Sequence, residues 1–531
     1  MIWKGPALDV PDVSLTSFIL ERADQWGDKP ALIDGLTGRQ LSYRALTDGV
    51  KRVATALHRR GLRKGDVFAI FSPNILEYPI AFHAVASIGG VITTINSLYT
   101  PREIANQLHD SRARYLLTVP AFMDRVKEAI NGLAIDEVFV FGEADGATAF
   151  ADLMAIEPEP VSVEIDPKED LVALPYSSGT TGVAKGVMLT HRNLVANVLQ
   201  AEDRIHLHEG ERVLGVMPFY HIYGMTVVMN LALHRGATVV SMARFELEPF
   251  LRVLQDHKVE RAYVAPPIVV ALAKHPLVDR FDLSSVSLVF SGAAPLDQNL
   301  AETCATRLSC KVNQGYGMTE ASPATHLVSD QVDWKKVGSI GPVVPGTECK
   351  VVDVVTGEEL GPGQDGEILV RGPQVMKGYL NNPTATAQIL DKDGWLHTGD
   401  IGHADADGDF YVVDRVKELI KYKAYQVPPA ELEAILLTHP AVADAAVIPS
   451  PDEEAGEVPK AFVVLKSPVE ADALMQFVAE RVAPYKKVRL VETIDEIPKS
   501  ASGKILRRKL VERERAKAPA RDMAPTKQAA P

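Results

Sequence analysis

The sequence predicts an α/β protein with a large N-terminal domain of doubly wound α/β subdomains, a small β-barrel-like subdomain and a small α+β C-terminal domain. Three observations carry this. Residues 40 to 120 alternate between helical and strand signals, which points to a parallel, doubly wound sheet. From about Ser339 the texture changes to short strands with frequent glycines. At 531 residues, the chain exceeds what one core usually organises.

In order, LSYRALTDGVKRVATALHRRG has apolar residues at helical spacing and stops at Gly61. GDVFAIFS reads as a short strand, Ile75 to Ile88 as a helix, and GGVITTIN as the next strand. TPREIANQLHD opens a helix with Pro101 behind Thr100, and ARYLLTV reads as another strand. The acidic, proline-rich stretch Asp145 to Asp170 reads as a surface connection. Beyond it, RVLGVMPFYHIYG, GATVVSM, RAYVAPPIVVALA and SVSLVFSGAAPL all have buried-strand cores, and KVVDVV, GEILVRGP and GDFYVVDR make the β-rich subdomain. Residues 417 to 509 mix helices (PPAELEAILLTH, ADALMQFVAERV) with strands (ADAAVIPS, KAFVVLK, KVRLVET). The expected boundaries are 1–416, 417–515 and a disordered tail at 516–531.

Composition narrows the function classes. A net charge of −13 argues against nucleic acid or an anionic membrane as the main partner. Cys304, Cys310 and Cys349 make no disulfide framework, and no Cys/His cluster has zinc spacing. MIWKGPALDV lacks the pattern of a signal peptide, and no apolar run reaches the length of a membrane span. A cytoplasmic protein is expected.

The chemistry gathers around YSSGTTGVAKG, residues 176 to 186. Gly179 and Gly182 let the backbone approach a ligand, and the hydroxyls of Ser177, Ser178, Thr180 and Thr181 with Lys185 could surround phosphate oxygens. It is not a P-loop: that motif feeds a strand directly into a helix. Here GVMLTH leads out as a second strand, and a helix begins only after the N-cap candidate Thr190. Taken alone, the loop reads equally as a flexible connection.

Other stretches have paired readings. QGYGMTE (314–320) puts a tyrosine, a threonine and a carboxylate on a tight turn, where Glu320 could ligate Mg²⁺, or it is a turn with an exposed tyrosine. WLHTGDIG (395–402) places Asp400 in a turn, as a ribose ligand or simply a turn residue. DRVKELIKYKAYQ (414–426) is a basic cluster or a solvated face, and Lys504 in PKSASGKILRRKL reaches a cleft or sits on the surface. His221, in PFYHIYGM with Tyr223, is a catalytic or a core histidine.

Together, YSSGTTGVAKG, QGYGMTE, GYLNNPTATAQ, DGWLHTGDIG, DRVKELIKYK and PKSASGKILR give a chain that resembles the AMP-forming acid–CoA ligases of the adenylate-forming superfamily, closest to 4-coumarate–CoA ligases, across residues 41 to 509. The resemblance implies ATP, Mg²⁺ and coenzyme A. A carboxylate attacks the α-phosphate of ATP to give an acyl-adenylate and pyrophosphate, and the CoA thiol then displaces AMP. It implies that Ser177, Ser178, Gly179, Thr180, Thr181, Gly182 and Lys185 hold the β/γ-phosphates. Gln314, Gly315, Tyr316, Gly317 and Thr319 would surround adenine and the α-phosphate, Glu320 the metal, and Asp400 and Arg415 the ribose. Lys504 would bridge carboxylate and α-phosphate, Lys417 would be the hinge of a mobile C-terminal domain, and Lys421 and Gln426 would contact AMP. Lys423, Ala424 and Arg244 would lie along the CoA path. His221, Tyr223, Val227, Ala293, Gly315, Ser322 and Leu327 would border the acyl pocket.

Departures mark this chain. KYKA replaces the family's KYKG, so Ala424 is expected to weaken the thioester half-reaction. Val227 replaces a small residue, and Ser322 and Ala324 stand in TEASPAT where TEAGPV is usual. The acid expected is an aryl or phenylpropanoid acid or a medium-to-long fatty acid; adenylation without CoA transfer is the alternative. Lys504 is also expected to be accessible to a lysine acetyltransferase.

Overall fold

The alternating patterns assemble two mainly parallel sheets. The computed structural model describes residues 1–177, 184–294, 296, 298–331, 336, 338–415, 418–422, 425–452, 455–482, 484–499 and 505–517, with backbone alone at 421, 425, 426, 456 and 515–517. Two compact units divide it: Met1–Thr398 with His403–Tyr411, and Gly399–Gly402 with the chain from Val412 onward.

In the first unit, the strands Val91–Thr94, Val67–Phe71, Ala113–Thr118, Glu137–Val140 and Thr148–Ala149 run parallel in that spatial order. Leu171–Ala173 continues the sheet beside Val91–Thr94, and Lys185–Thr190 joins it antiparallel. A second sheet is built on Pro30–Asp34, Thr238–Ser241, Arg212–Gly215, Arg261–Val264, Leu288–Ser291 and Lys311–Gly317, all parallel in that order. Helices between strands put parallel neighbours side by side, as the sequence periodicity requires.

Helix ends follow local chemistry. Ser42 caps helix Tyr43–Arg59 by accepting the Ala45 N–H at 3.1 Å. The buried face of that helix, Leu46, Val50, Val53 and Leu57, is spaced one turn apart, and each such side chain contributes about 1.5–3 kcal/mol on burial. Thr100 and Glu103 form a capping box on Pro101–Ser111, and Thr190 and Asn193 form one on His191–Arg204.

Four expectations change. The stretch 145–170 is not only a connection: it contains Thr148–Ala149 and helix Phe150–Met154, whose Phe150 and Leu153 are buried. QGYG is not a turn but the end of strand Lys311–Gly317, paired antiparallel with Ala324–Leu327. Asp400 lies within the nine-residue strand Leu396–Ala404, because the strand carries on through Gly399. The β-rich sheet has the order Ile2–Lys4, Glu348–Val352, Gly366–Arg371, Leu396–Ala404, Phe410–Arg415, so the N-terminal residues supply an edge strand.

One buried ion cluster stabilises the second parallel sheet. Arg261, 7% exposed, donates to Glu211 Oε1 at 2.6 Å, to Asp330 and to the His206 carbonyl at 3.0 Å. Burial alone would raise the Asp330 carboxyl, yet the hydrogen bonds from Arg261 and His206 hold it below its ordinary value. A depressed carboxylate contributes stability at neutral pH that is lost as pH falls through its folded titration. Arg261→Met leaves two carboxylates without their cation and is expected to cost about 3–5 kcal/mol at pH 7. In denaturant melts that deficit should narrow as pH falls, because the stability that the depressed Asp330 carboxylate gives the parent chain is lost there.

The second unit packs Pro429–Leu437 and Ala471–Ala479 against Val442–Asp452, Gly456–Leu465 and Leu490–Thr493, around Val447, Val463, Leu432 and Leu474. Among the described residues, no helix is long and apolar enough to cross a membrane.

Candidate active site

Register places the first group of site residues. Tyr176–Ser177 and Lys185–Thr190 pair antiparallel, with Ser177 opposite Lys185, so the two ends of the glycine-rich loop stand side by side. Ser178, Gly179, Thr180, Thr181 and Gly182, between them, lie outside the described residues. Gly378–Tyr379 pairs with the other side of the same strand, Val187 opposite Tyr379. At Gly378, φ is +142°, and a Cβ would stand 2.7 Å from Thr386 Cγ2, so only glycine fits the approach.

These strands converge on Glu320, in the short 3₁₀ turn Thr319–Ala321. Its Oε1 accepts the Ser177 hydroxyl at 2.8 Å and the Tyr379 hydroxyl at 2.8 Å. The Glu320 carbonyl also accepts the Met376 N–H at 2.9 Å. Burial, then the Glu320 charge, pushes the Tyr379 phenol up, so Tyr379 stays protonated and donates. Lys185 Nζ lies 4.9 Å from the centre of the Tyr379 ring. Serine, lysine, tyrosine and one 6%-exposed carboxylate thus share one locus. Tyr379 was not assigned from sequence, although it sits in GYLNNPTATAQ; a tyrosine behind a glycine offered no chemistry of its own.

Magnesium demands hard oxygen ligands and takes one or two carboxylates plus substrate phosphates rather than an all-protein cage. The residues fit that demand. Glu320 keeps Oε2 without a hydrogen bond among the described residues, and no group of three or more His, Cys, Asp or Glu there could hold a metal by itself.

A second group packs together in the apolar core. Tyr223 donates to the Phe290 carbonyl at 3.2 Å, and a Cβ on Gly292 would lie 3.2 Å from its ring. A Cβ on Gly315 would meet Leu327 Cδ2 at 2.5 Å and Phe290 Cζ at 3.0 Å. The structure therefore brings Tyr223, Gly315 and Leu327 together through Phe290. Gly315→Ala is expected to push Leu327 away and cost about 1–3 kcal/mol by overpacking, read as a lower melting temperature. Ala293, next to Gly292, has φ +73°, a left-handed strain of order 1–3 kcal/mol for a non-glycine residue. Val227 lies 2% exposed in the π-helix Gly224–Asn230, a backbone irregularity frequent at functional sites. Half-buried His221 accepts the Tyr223 N–H on Nδ1 at 3.4 Å. Asn74, not singled out from sequence, holds this segment: it donates to the Gly215 and Met217 carbonyls at 2.9 Å and accepts the Phe219 N–H at 2.7 Å. Ser322 is fully buried and gives its hydroxyl to the Gln374 carbonyl at 2.8 Å.

Gln314 Nε2 donates to the Ser339 carbonyl at 3.0 Å, and the Tyr316 ring lies 5.9 Å from the buried His326 ring. Gly317 and Thr319 flank the bend between strand and 3₁₀ turn. Arg244 is 82% exposed and pairs with Glu246 at 2.5 Å. In the second unit, Arg415 Nε donates to Asp400 Oδ1 at 3.1 Å, and Asp400 is 7% exposed. Lys417, Lys423, Ala424 and Lys504, with the side chains of Lys421 and Gln426, lie outside the described residues.

The family model described as AMP-binding enzyme matches residues 19–380, and the AMP-binding enzyme C-terminal domain matches 431–504. The chain is 44% identical over 518 residues to 4-coumarate–CoA ligase 5 of Oryza sativa subsp. japonica, covering 95% of each. The anthranilate CoA ligase AuaEII, solved in complex with anthranoyl-AMP, superposes with TM-score 0.88 at 27% identity, over 96% of this chain and 98% of that one. The o-succinylbenzoate CoA synthetase of Bacillus subtilis, in complex with ATP and magnesium ion, gives TM-score 0.82 at 31% identity, over 93% and 99%.

Proposed function

The chain belongs to the AMP-binding enzyme family, and from that premise we propose that the acid it activates is a planar aryl acid of the hydroxycinnamate kind. It is an ATP-dependent acid–CoA ligase. A carboxylate oxygen bonds to the α-phosphorus as the bond to pyrophosphate breaks, and the CoA thiolate then displaces AMP from the acyl carbon. The Ser177–Glu320–Tyr379 cluster beside Lys185 carries the reading.

Ser177 and Lys185 meet the outer phosphates, Lys185 as a point charge. Glu320 would hold Mg²⁺, which when bound would neutralise charge on the phosphate oxygens. Tyr379 keeps Glu320 oriented through its hydroxyl. Gln314 and Tyr316 receive the base, and Asp400 with Arg415 the ribose. Lys504 offsets the charge growing between carboxylate and α-phosphate, whereas Lys423 and Arg244 serve the CoA step.

The aromatic surroundings of Tyr223 and Phe290 beside Gly292 and Gly315, with the likeness to 4-coumarate–CoA ligase 5, support an aryl acid of this kind. A cytoplasmic setting is supported by three cysteines that stand as free thiols, Cys304, Cys310 and Cys349. Neutralisation of Lys504 by an acetyltransferase would silence the first half-reaction.

CoA-thioester formation across 4-coumarate, benzoate, anthranilate and a long-chain fatty acid tests the substrate. Highest kcat/KM with 4-coumarate or another aryl acid is expected; a fatty acid in first place would overturn it.

A further inference from the structure

The second unit contains a buried charge cluster that the mechanism above leaves unused. Glu433, 7% exposed on helix Pro429–Leu437, accepts both forks of one Arg507 nitrogen, Nη2, at 2.8 and 2.7 Å, and the Val447 N–H at 2.7 Å. Arg507, the first residue of helix Arg507–Lys517, also donates through Nη1 to Glu418 and through Nε to the Val447 carbonyl at 3.3 Å. Asp414, 5% exposed, accepts the N–H groups of Arg415 at 2.7 Å and Ala430 at 2.8 Å. Two carboxylates, Glu433 and Glu418, therefore hydrogen-bond to one guanidinium, and Asp414 acts on it through space. Burial pushes Glu433 up to about 7 and Asp414 to about 6, against the pull of Arg507 on both.

The cluster adjoins the base of one loop. Lys499 and Ile505 form an antiparallel bridge, and the Leu506 N–H donates to the Pro498 carbonyl at 2.8 Å, closing the chain on itself. Lys499 Nζ is held by Asp444 Oδ2 at 2.6 Å. Lys504 lies between the two bridge residues in sequence, three positions before Arg507.

We propose that Arg507 is a positioning residue for adenylation: it ties the Pro498–Leu506 closure, between whose two sides Lys504 falls in sequence, to Glu433, Val447 and Glu418. A planar fork holds two partners in one geometry, which an ammonium cannot do. Removing it strands buried carboxylates and releases Leu506, on one side of the closure and two positions after Lys504 in sequence. The inference rests on the assignment of Lys504 to adenylation.

The test compares Arg507→Met, Arg507→Lys and Lys504→Ala in the full chain. In Arg507→Met, acid-dependent pyrophosphate release should fall in kcat by about 10²-fold, with the acid KM and the rate of thioester formation from supplied acyl-adenylate within about threefold. Arg507→Lys should recover part of the lost rate. Equal losses in both half-reactions, or undiminished adenylation, would overturn the inference. If Arg507→Met does not fold, Arg507→Lys decides by the same split: a loss confined to adenylation supports it, and a shared or absent loss overturns it. Lys504→Ala with full adenylation would instead remove the underlying assignment.

Discussion

Glu320→Gln is expected to lower acid-dependent pyrophosphate release about 10²–10³-fold, with little change in melting temperature. Glutamine has the same length, and its carbonyl still accepts the hydroxyls of Ser177 and Tyr379, which lie 2.8 Å from Glu320 Oε1. What disappears is the negative charge that a divalent cation needs. The loss should be relieved in part by raising Mg²⁺, since weaker binding is offset by mass action. Tyr379→Phe is the control: it leaves the charge but removes one orienting hydrogen bond, and its loss should be smaller. Glu320→Gln with normal Mg²⁺ dependence would separate the carboxylate from the metal.

Lys504→Gln should abolish adenylation while sparing thioester formation from supplied acyl-adenylate. The first half-reaction brings an anionic carboxylate to an anionic phosphate, so a fixed cation there acts where charge is greatest; loss of one such group costs about 10²–10³-fold or more. The second half-reaction expels AMP from a neutral acyl carbon and makes no such demand on the same residue. Glutamine also copies the charge loss of acetylation, so the variant reads the regulatory consequence directly. Unchanged pyrophosphate release would refute the role.

Local signals in the sequence proved reliable where chemistry is local. Thr190 and Thr100 cap their helices because side-chain oxygen and backbone N–H are neighbours in the chain. The strand–loop–strand setting of the glycine-rich loop was visible because Lys185–Thr190 is too apolar and too short to be a helix start. Pairing at long range was not legible. Ile2–Lys4 finds its partner at Glu348–Val352, and no pattern in three residues announces that. Asp400 looked like a turn residue because Asp and Gly favour turns, yet the sheet carries the strand through Gly399. In the site, Ser177 and Glu320 were recognisable as motif residues, but their contact with each other and with Tyr379 is a product of tertiary register. The irregular turns of the π-helix at Gly224–Asn230 have no signature in hydrophobic spacing.

If this chain makes an acyl-adenylate before it makes a thioester, a rapid-quench measurement with 4-coumarate, ATP and Mg²⁺ but no CoA separates the two steps. The predicted result is a burst of pyrophosphate with enzyme-bound coumaroyl-AMP, converted to coumaroyl-CoA when CoA is added. Thioester formation with ADP and inorganic phosphate as products, or no pyrophosphate with any aryl or fatty acid, would contradict it.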